Sequence, residues 1–482
     1  MEEPIIKGRN AKIAAILIVL VTTTMGGGFY VNMQSQQSAP LGADLSGKIM
    51  PKVEIPSWMG VGLSRLNKTG NAVAIIVAAG YGQSSNGDIP INAGEGLNVL
   101  TDIVEEEVNA YCQRMGSKYR FDFVPFPVLA TKEAVNTSAR VFNELGAKLV
   151  VMDTWSVLWN NTLKTIRAND MLYIVGTETS KVTDVLDGFY GIRPEVPEEE
   201  FIPKVATAKD IKALIVLQND FAQYTSIFGP LLEQEFVAIS KNFEALGGVI
   251  NKQIVYPGPQ VIYSELEKNE DLTKYLLDAD DAVREATAEY GENKVGVLVL
   301  GLGETNSMIY QARGMDSLMS VPWFSGEVVR YLYGEPEDNK LGPFVAKVGF
   351  YVPVEVVWSP EALEKLNQKV ASKIDNPNYH LGPQDPVKYD GCWLMALSVM
   401  KADSTDPAKV EEAFRQVASE YTGINGNYAL DEKGDKINFK VGVYRVFEAE
   451  PGVYKHLQCG IYDVATGSVA FEETKQPLPY LP

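Results

Sequence analysis

The chain has 482 residues, 46% of them apolar, enough for a large buried core spread over two or three domains. Its 43 Lys and Arg against 62 Asp and Glu give a formal charge of −19. Such a surface repels phosphate backbones, argues against a nucleic-acid partner and suits an exposed soluble body. The cysteines, Cys112, Cys392 and Cys459, show no CxxC spacing, and the histidines, His380 and His456, lie far apart. A zinc site, a disulfide framework or a His-dependent triad has little to build on. Both histidines read as ordinary surface or core residues.

At the N-terminus Lys7, Arg9 and Lys12 precede an apolar run, Ile13 to Val31, broken only by Thr22-Thr23-Thr24 and Gly26-Gly27-Gly28. A basic flank before a single apolar run predicts a cytoplasmic N-terminus and an exported body. Ile13 to Val21 has the length of a signal-peptide core, and the whole run barely reaches the ~20 residues that span a bilayer. Residues 1–31 are therefore expected to be a membrane anchor, or a signal segment if cleaved; the lack of an A-x-A site favours the anchor. Asn32 to Pro56 is rich in Gln, Ser, Gly and Pro, and residues 32–71 read as a flexible linker.

The body starts near Ala72. Ala72 to Gly80 is a short apolar run ending in glycine, the pattern of a buried parallel strand. A helical pattern follows over Ala93 to Met115. Similar strands recur at Lys148–Met152, Met171–Val175, Ala213–Leu217, Val249–Val255 and Val295–Leu300, mostly separated by helical patterns. Alternating strands and helices predict parallel sheets covered on both faces.

The last quarter, Tyr389 to Glu448, carries the most information. Tyr389-Asp390 enters a helix, Asp406-Pro407 opens a second, and Tyr421-Thr422-Gly423 precedes a Gly-x-Tyr-x-Leu-Asp-x-x-Gly-Asp hairpin and an apolar strand. Upstream stand Gly191-Ile192-Arg193-Pro194, the strand Ala213 to Asp220 ending in Gln-Asn-Asp, Phe243-Glu244-Ala245-Leu246-Gly247-Gly248, Gln311-Ala312-Arg313-Gly314 and Tyr351-Val352-Pro353. In this order these motifs resemble the type I periplasmic solute-binding proteins, the leucine/isoleucine/valine-binding group that feeds ABC importers. The resemblance implies a bilobed α/β fold, two parallel-sheet lobes joined by a three-crossing hinge. Lobe 1 would take residues 72–190 and 352–440, and lobe 2 residues 191–351 and 441–482. The chain departs from the pattern in the Thr131–Ser138 region, in Asp220-Phe221-Ala222-Gln223-Tyr224 where the family has Asp-Tyr-Gly, and in a charged stretch, Lys268 to Lys294, that reads as a helical insertion.

In open α/β sheets ligands bind beyond the carboxyl ends of the strands, where helix N-termini favour carboxylates. Three loops follow such strands: Tyr81 to Gly87, Asp153-Thr154-Trp155-Ser156, and Gly176-Thr177-Glu178-Thr179-Ser180. By the resemblance, Ser156, Thr177 and Thr179 hold a ligand carboxylate; helix capping by Thr179 or Ser180 is the plain alternative. In lobe 2 the resemblance points to Asp220, Tyr224 and Glu327, the last receiving an ammonium. A solvated glutamate opening a helix is the plain alternative for Glu327. Gly301-Leu302-Gly303-Glu304-Thr305-Asn306 is glycine-rich but lacks the acidic partner of a dinucleotide site. No nucleophile–base pair stands out and no cofactor is implied, so an enzyme is not expected. The expectation is an extracytoplasmic, monomeric solute-binding protein held at the membrane by its N-terminal segment. It would capture an aliphatic amino acid, or an amide- or urea-like solute, and deliver it to ABC permease subunits. A sensor ectodomain or a non-transport surface protein with the same fold is the competing reading.

Overall fold

The apolar run at the start of the body forms β1 (Val73–Tyr81). The chain continues through α1 (Ile91–Arg114), β2 (Phe121–Leu129), α2 (Lys132–Glu144), β3 (Leu149–Asp153), α3 (Thr162–Ala168), β4 (Leu172–Val175) and β5 (Phe189–Gly191). All five strands are parallel, in the order β2-β1-β3-β4-β5. The computed structural model describes residues 19–20, 29–32, 54–55, 65–66, 71–81, 91–129, 132–153, 162–176, 188–192, 196–220, 228–257, 271–301, 304–326, 341–356, 358–374, 381–382, 385–432, 434, 436–437 and 439–477. The expected anchor and linker lie outside these residues, apart from the short strands Val19–Leu20, Phe29–Asn32 and Glu54–Ile55 and the stretches 65–66 and 71. No helix among the described residues is long and apolar enough to cross a membrane.

β2 was not evident in the sequence because it carries Pro125 and Pro127. Proline cannot donate to a sheet ladder, so a strand with two prolines reads as a loop. Here β2 is an edge strand, paired only with β1. Residues two apart direct their N–H groups to the same side of a strand, so both prolines can face the open edge without loss of a ladder bond.

A second set of elements follows: α4 (Glu198–Ala208), β6 (Ala213–Asp220), α5 (Phe228–Ala245), β7 (Val249–Pro257), α6 (Thr273–Tyr290), β8 (Val295–Leu300), α7 (Thr305–Ala312), β9 (Trp323–Ser325), α8 (Gly342–Val348) and β10 (Val352–Glu355). Strands β6 to β9 are parallel, in the order β7-β6-β8-β9. α6 corrects the reading of the charged stretch as an insertion. It is the crossover helix between β7 and β8, and it buries Leu276, Ala279, Ala282, Val283 and Ala286 in the core under that sheet. The i, i+3, i+7 apolar stripe is narrow and hidden among charges, which is why it read as surplus.

The chain then forms α9 (Pro360–Ile374), α10 (Asp385–Ala402), α11 (Pro407–Glu420) and a small hairpin, β11 (Thr422–Gly423) with β12 (Gly426–Asn427). α11 opens as its Asp-Pro pair predicts: Asp406 caps it, accepting from the Ala408 N–H at 3.1 Å, and Pro407 fills the first turn. Three long strands end the fold: β13 (Lys440–Glu450), β14 (Val453–Asp463) and β15 (Ser468–Pro477). They make an antiparallel sheet in the order β10-β13-β14-β15. The Tyr351 N–H donates to the Trp323 carbonyl at 2.7 Å and the Ser325 N–H to the Tyr351 carbonyl at 3.0 Å, joining this sheet to β9.

Two compact units result, residues 1–194 with 358–437, and 195–357 with 438–482, so the chain passes between them three times. Residues 352–357 fall in unit 2, and the sequence-based boundary at 352 is set aside, because β10 pairs with β13 and not with any strand of unit 1.

In unit 1, Ile75, Val77 and Ala79 of β1 share a core with Leu97, Val104 and Val108 of α1, Leu394 and Met395 of α10, and Val410 and Phe414 of α11. Phe126 and Phe142 pack edge to face on the other side of the sheet, 5.0 Å between centroids. Each such side chain stabilises the fold by roughly 1.5–3 kcal/mol relative to exposure. In unit 2, Leu214 and Val216 pack with α4 and α5, while Ile215 and Leu217 pack with α6. His456, one of the two histidines, is a buried core residue of this unit.

The Tyr389–Glu448 motif owes its pattern to one carboxylate. Asp390 is fully buried on α10. The Tyr428 hydroxyl donates to one of its oxygens at 2.6 Å, as does the Asn425 N–H at 3.3 Å, and the Tyr421 hydroxyl donates to the other at 2.9 Å. Lys436, also buried, lies over the Tyr428 ring and donates to the Asn425 carbonyl at 2.7 Å. Gly423 is required by close approach: a Cβ there would stand 2.3 Å from the Asp390 carboxylate. Desolvation pushes the Asp390 carboxyl up to about 6, against the lowering effect of Tyr428, the Asn425 N–H, Tyr421 and Lys436.

Since an unfolded aspartate titrates near ~3.9, the folded chain holds this proton more tightly than the unfolded one. The stability of wild type relative to Asp390→Asn is therefore expected to fall as pH rises from about 4 to about 6, by on the order of 3 kcal/mol, and to level off above. Urea unfolding of both proteins across that range measures it; a pH-independent difference would contradict the assignment.

Candidate functional site

Both parallel sheets reverse strand order at an interior point. In unit 1 the reversal lies between β1 and β3, where Ala79 sits opposite Asp153. In unit 2 it lies between β6 and β8, where Gln218 sits opposite Leu300. Chains leaving such strands diverge to opposite faces and open a crevice at the carboxyl edge, the usual place for a ligand in this architecture.

At the edge of unit 1, Asp153 closes β3 and is almost wholly buried. Lys388, in the first turn of α10, donates to Asp153 Oδ2 at 2.9 Å and pairs with Asp385 Oδ1 at 2.8 Å. The Lys388 and Asp153 side chains are only 6% and 5% exposed, so this pair works in a low dielectric where each charge depends on the other. Gly176, just past β4, has its Cα face against Asp153: a Cβ there would lie 3.5 Å from the aspartate Cβ and 3.6 Å from Val387. The ends of β3 and β4 and the start of α10 thus meet around one buried ion pair. That pair fixes the carboxyl end of β3.

At the edge of unit 2, Asn219 of β6, Tyr256 of β7 and Glu304 before α7 form a buried polar cluster. Glu304 Oε1 accepts from the Asn219 amide and from the Tyr256 hydroxyl, the latter at 2.8 Å. Burial and the neighbouring Glu304 raise the Tyr256 phenol well above its usual range, so it stays a donor. Gly301 leaves the space open: a Cβ there would stand 2.6 Å from the Tyr256 hydroxyl, 2.8 Å from Glu304 Oε1 and 3.4 Å from Thr305 Oγ1. Asn219 Oδ1 and Thr305 Oγ1 are buried with no hydrogen-bond partner among the described residues. Ser325, at the end of β9, is satisfied internally, donating to the Val299 carbonyl at 2.9 Å.

Of the residues read from the sequence, Asp220 lies in the described structure: it is the last residue of β6, half-buried, in register with Pro257 of β7. Ser156, Thr177, Thr179, Tyr224 and Glu327 lie outside the described residues. Each follows directly on a segment whose strand end is described: Asp153, Gly176, Asp220 and Gly326. Lys388, Asn219, Tyr256 and Glu304 were not singled out in the sequence. A lysine in a helical first turn resembles a solvated charge, and Glu304 was weighed only as part of a glycine-rich loop. The signal for Lys388 was its place immediately before Tyr389-Asp390.

No protein-family model matches the sequence, and no curated protein matches it either. Solved structures do. A periplasmic ligand-binding protein of a branched-chain amino acid ABC transporter from Burkholderia xenovorans aligns with a TM-score of 0.59 at 14% identity, over 82% of this chain and 96% of that one. A leucine-binding protein from Thermotoga maritima aligns at 0.53 and 16% identity, over 83% and 98%. A type 1 periplasmic binding protein from Bordetella pertussis aligns at 0.55 and 13% identity, over 80% and 100%. The chain has the type I periplasmic-binding-protein fold. In a type I fold the carboxyl edges of both sheets are the surfaces where solute chemistry belongs, and here each edge carries a buried charged group held by named partners.

Lys388→Met would leave Asp153 buried without its cation. Breaking such a pair costs about 3–5 kcal/mol, and the double variant Lys388→Met/Asp153→Asn is expected to recover part of that loss. A double-mutant cycle by urea unfolding measures the coupling; additive losses would remove the pair from its place as the anchor of this edge.

Proposed function

We propose that the chain is an extracytoplasmic solute-binding protein that captures a small polar solute and passes it to the permease of an ABC importer. The observation that carries this reading is the pair of parallel sheets whose strand order reverses at the interior, each with its carboxyl edge furnished with buried polar groups. The similarity in fold to binding proteins of ABC transporters, one of them from Streptococcus pneumoniae in complex with isoleucine, supports it. The solute is an aliphatic amino acid, with an amide or urea-like molecule as the related class. Ser156, Thr177 and Thr179 receive its carboxylate through hydroxyls and backbone N–H groups. Asp220, Tyr224 and Glu327 face its amine, Glu327 supplying the charge-assisted hydrogen bond. Binding shifts a population between two conformations, and the permease reads the liganded one. The protein acts as a monomer, held at the membrane by residues 1–31, and uses no cofactor.

Calorimetry with leucine, isoleucine, valine and small amides on wild type and Glu327→Ala tests this reading. Loss of a buried charge partner costs about 2–5 kcal/mol, so an amino acid is expected to bind Glu327→Ala at least tenfold more weakly. Unchanged affinity would remove Glu327 from the site, and absence of heat with every solute would contradict the function.

A further inference from the structure

Unit 2 carries a hollow with a largely apolar lining, away from the carboxyl ends of its parallel strands. It opens where the C-terminal end of α4 meets the antiparallel sheet, with a volume of about 350 Å³. Lys209, Arg445, Phe447, Gln458 and Phe471 contribute its walls. This volume falls at the small end of ligand pockets, which run from roughly 300 to 1,000 Å³.

Two cations converge here on aromatic rings. The Lys209 ammonium lies 3.9 Å from the centre of the Phe471 ring and 5.3 Å from that of Tyr351. The Arg445 guanidinium lies 4.0 Å from the Phe447 ring centre and 5.8 Å from that of Tyr351, and its Nη1 donates to the Tyr351 hydroxyl at 3.1 Å. Both cations therefore flank one tyrosine and rest on aromatic faces, which hold them in place without neutralising them. Neither makes an ion pair with a carboxylate among the described residues. Arg445 Nε is buried and donates to no group among the described residues. Gln458 is also buried. Its Oε1 accepts from the Tyr444 hydroxyl at 3.1 Å, which leaves the amide N–H groups as donors. Burial pushes the Cys459 thiol in the same wall up to about 11, so it stays neutral near pH 7. Two fixed cations thus stand against one carboxylate, Glu472, at the same hollow.

We propose that this hollow is a binding site for a small organic oxyanion with an apolar body. The oxyanion accepts from Arg445, Lys209 and Gln458, and the apolar part lies on Phe447 and Phe471. An oxyanion matches the geometry because a guanidinium pinned on an aromatic face presents its N–H fork in a fixed direction, and carboxylates and phosphates accept such a fork in pairs. The inference is independent of the solute reading above, since no residue of the hollow belongs to the proposed solute site.

The test is calorimetry on the full chain with benzoate and with phenyl phosphate at fixed ionic strength. Saturable binding of one molecule of at least one probe is expected, weakened tenfold or more in Arg445→Met and in Lys209→Met, with the heat of leucine binding unchanged in both. Whichever probe binds tighter assigns the headgroup as carboxylate or phosphate. Lys209 caps the end of α4 and is half-exposed, so its variant keeps the test decisive even if Arg445→Met fails to fold. Absence of saturable binding of both probes, or undiminished binding in the variants, would each overturn the proposal.

Discussion

A parallel sheet buried on both faces has one surface to offer a ligand, its carboxyl edge. Helices cover the faces, and the ladder consumes the backbone groups along the strands. In this chain the constraint acts twice, once in each unit. The strand orders β2-β1-β3-β4-β5 and β7-β6-β8-β9 put the point of divergence between the first and third strands of each unit. The placement of the described residues at these edges follows from that. Asp153 closes β3, Gly176 follows β4, and Asn219 and Asp220 close β6.

The edges are built on buried charge. Asp153 with Lys388, and Glu304 with Asn219 and Tyr256, are polar groups taken out of water at positions where apolar residues would pack without penalty. Such groups add little to net stability over apolar replacements, but once present they tolerate few geometries. They are therefore suited to fixing where a loop leaves a sheet. Asp390 performs the same task deeper in unit 1. Two tyrosines, a backbone N–H and a glycine converge on it, and the hairpin after α11 is held against α10 as a result.

Much of this was legible in the sequence, for identifiable reasons. Strands β1, β3, β4, β6 and β8 are built on apolar runs bounded by polar or glycine residues, and helices between them imply a parallel sheet. What escaped had a local signal opposed by tertiary context. Pro125 and Pro127 disguised β2, because their cost vanishes only at an edge that the sequence does not reveal. The charges of α6 hid its buried stripe. Strand ends are visible in the sequence, but the buried groups that meet at them are not. Lys388 looks like any helical lysine until Asp153, far away in sequence, is brought to it. Lys209, Arg445 and the rings they share, Phe447, Phe471 and Tyr351, come from the end of α4, β13, β15 and the residue before β10, and no spacing in the sequence joins them.

A chain that binds a small solute should keep one through purification. Native mass spectrometry of the body purified from its own cells tests it most directly. The account predicts a single small molecule retained in the native spectrum, released on denaturation and replaceable by an excess of a branched-chain amino acid. A spectrum of the bare chain, unchanged after incubation with a mixture of amino acids and amides, would contradict it.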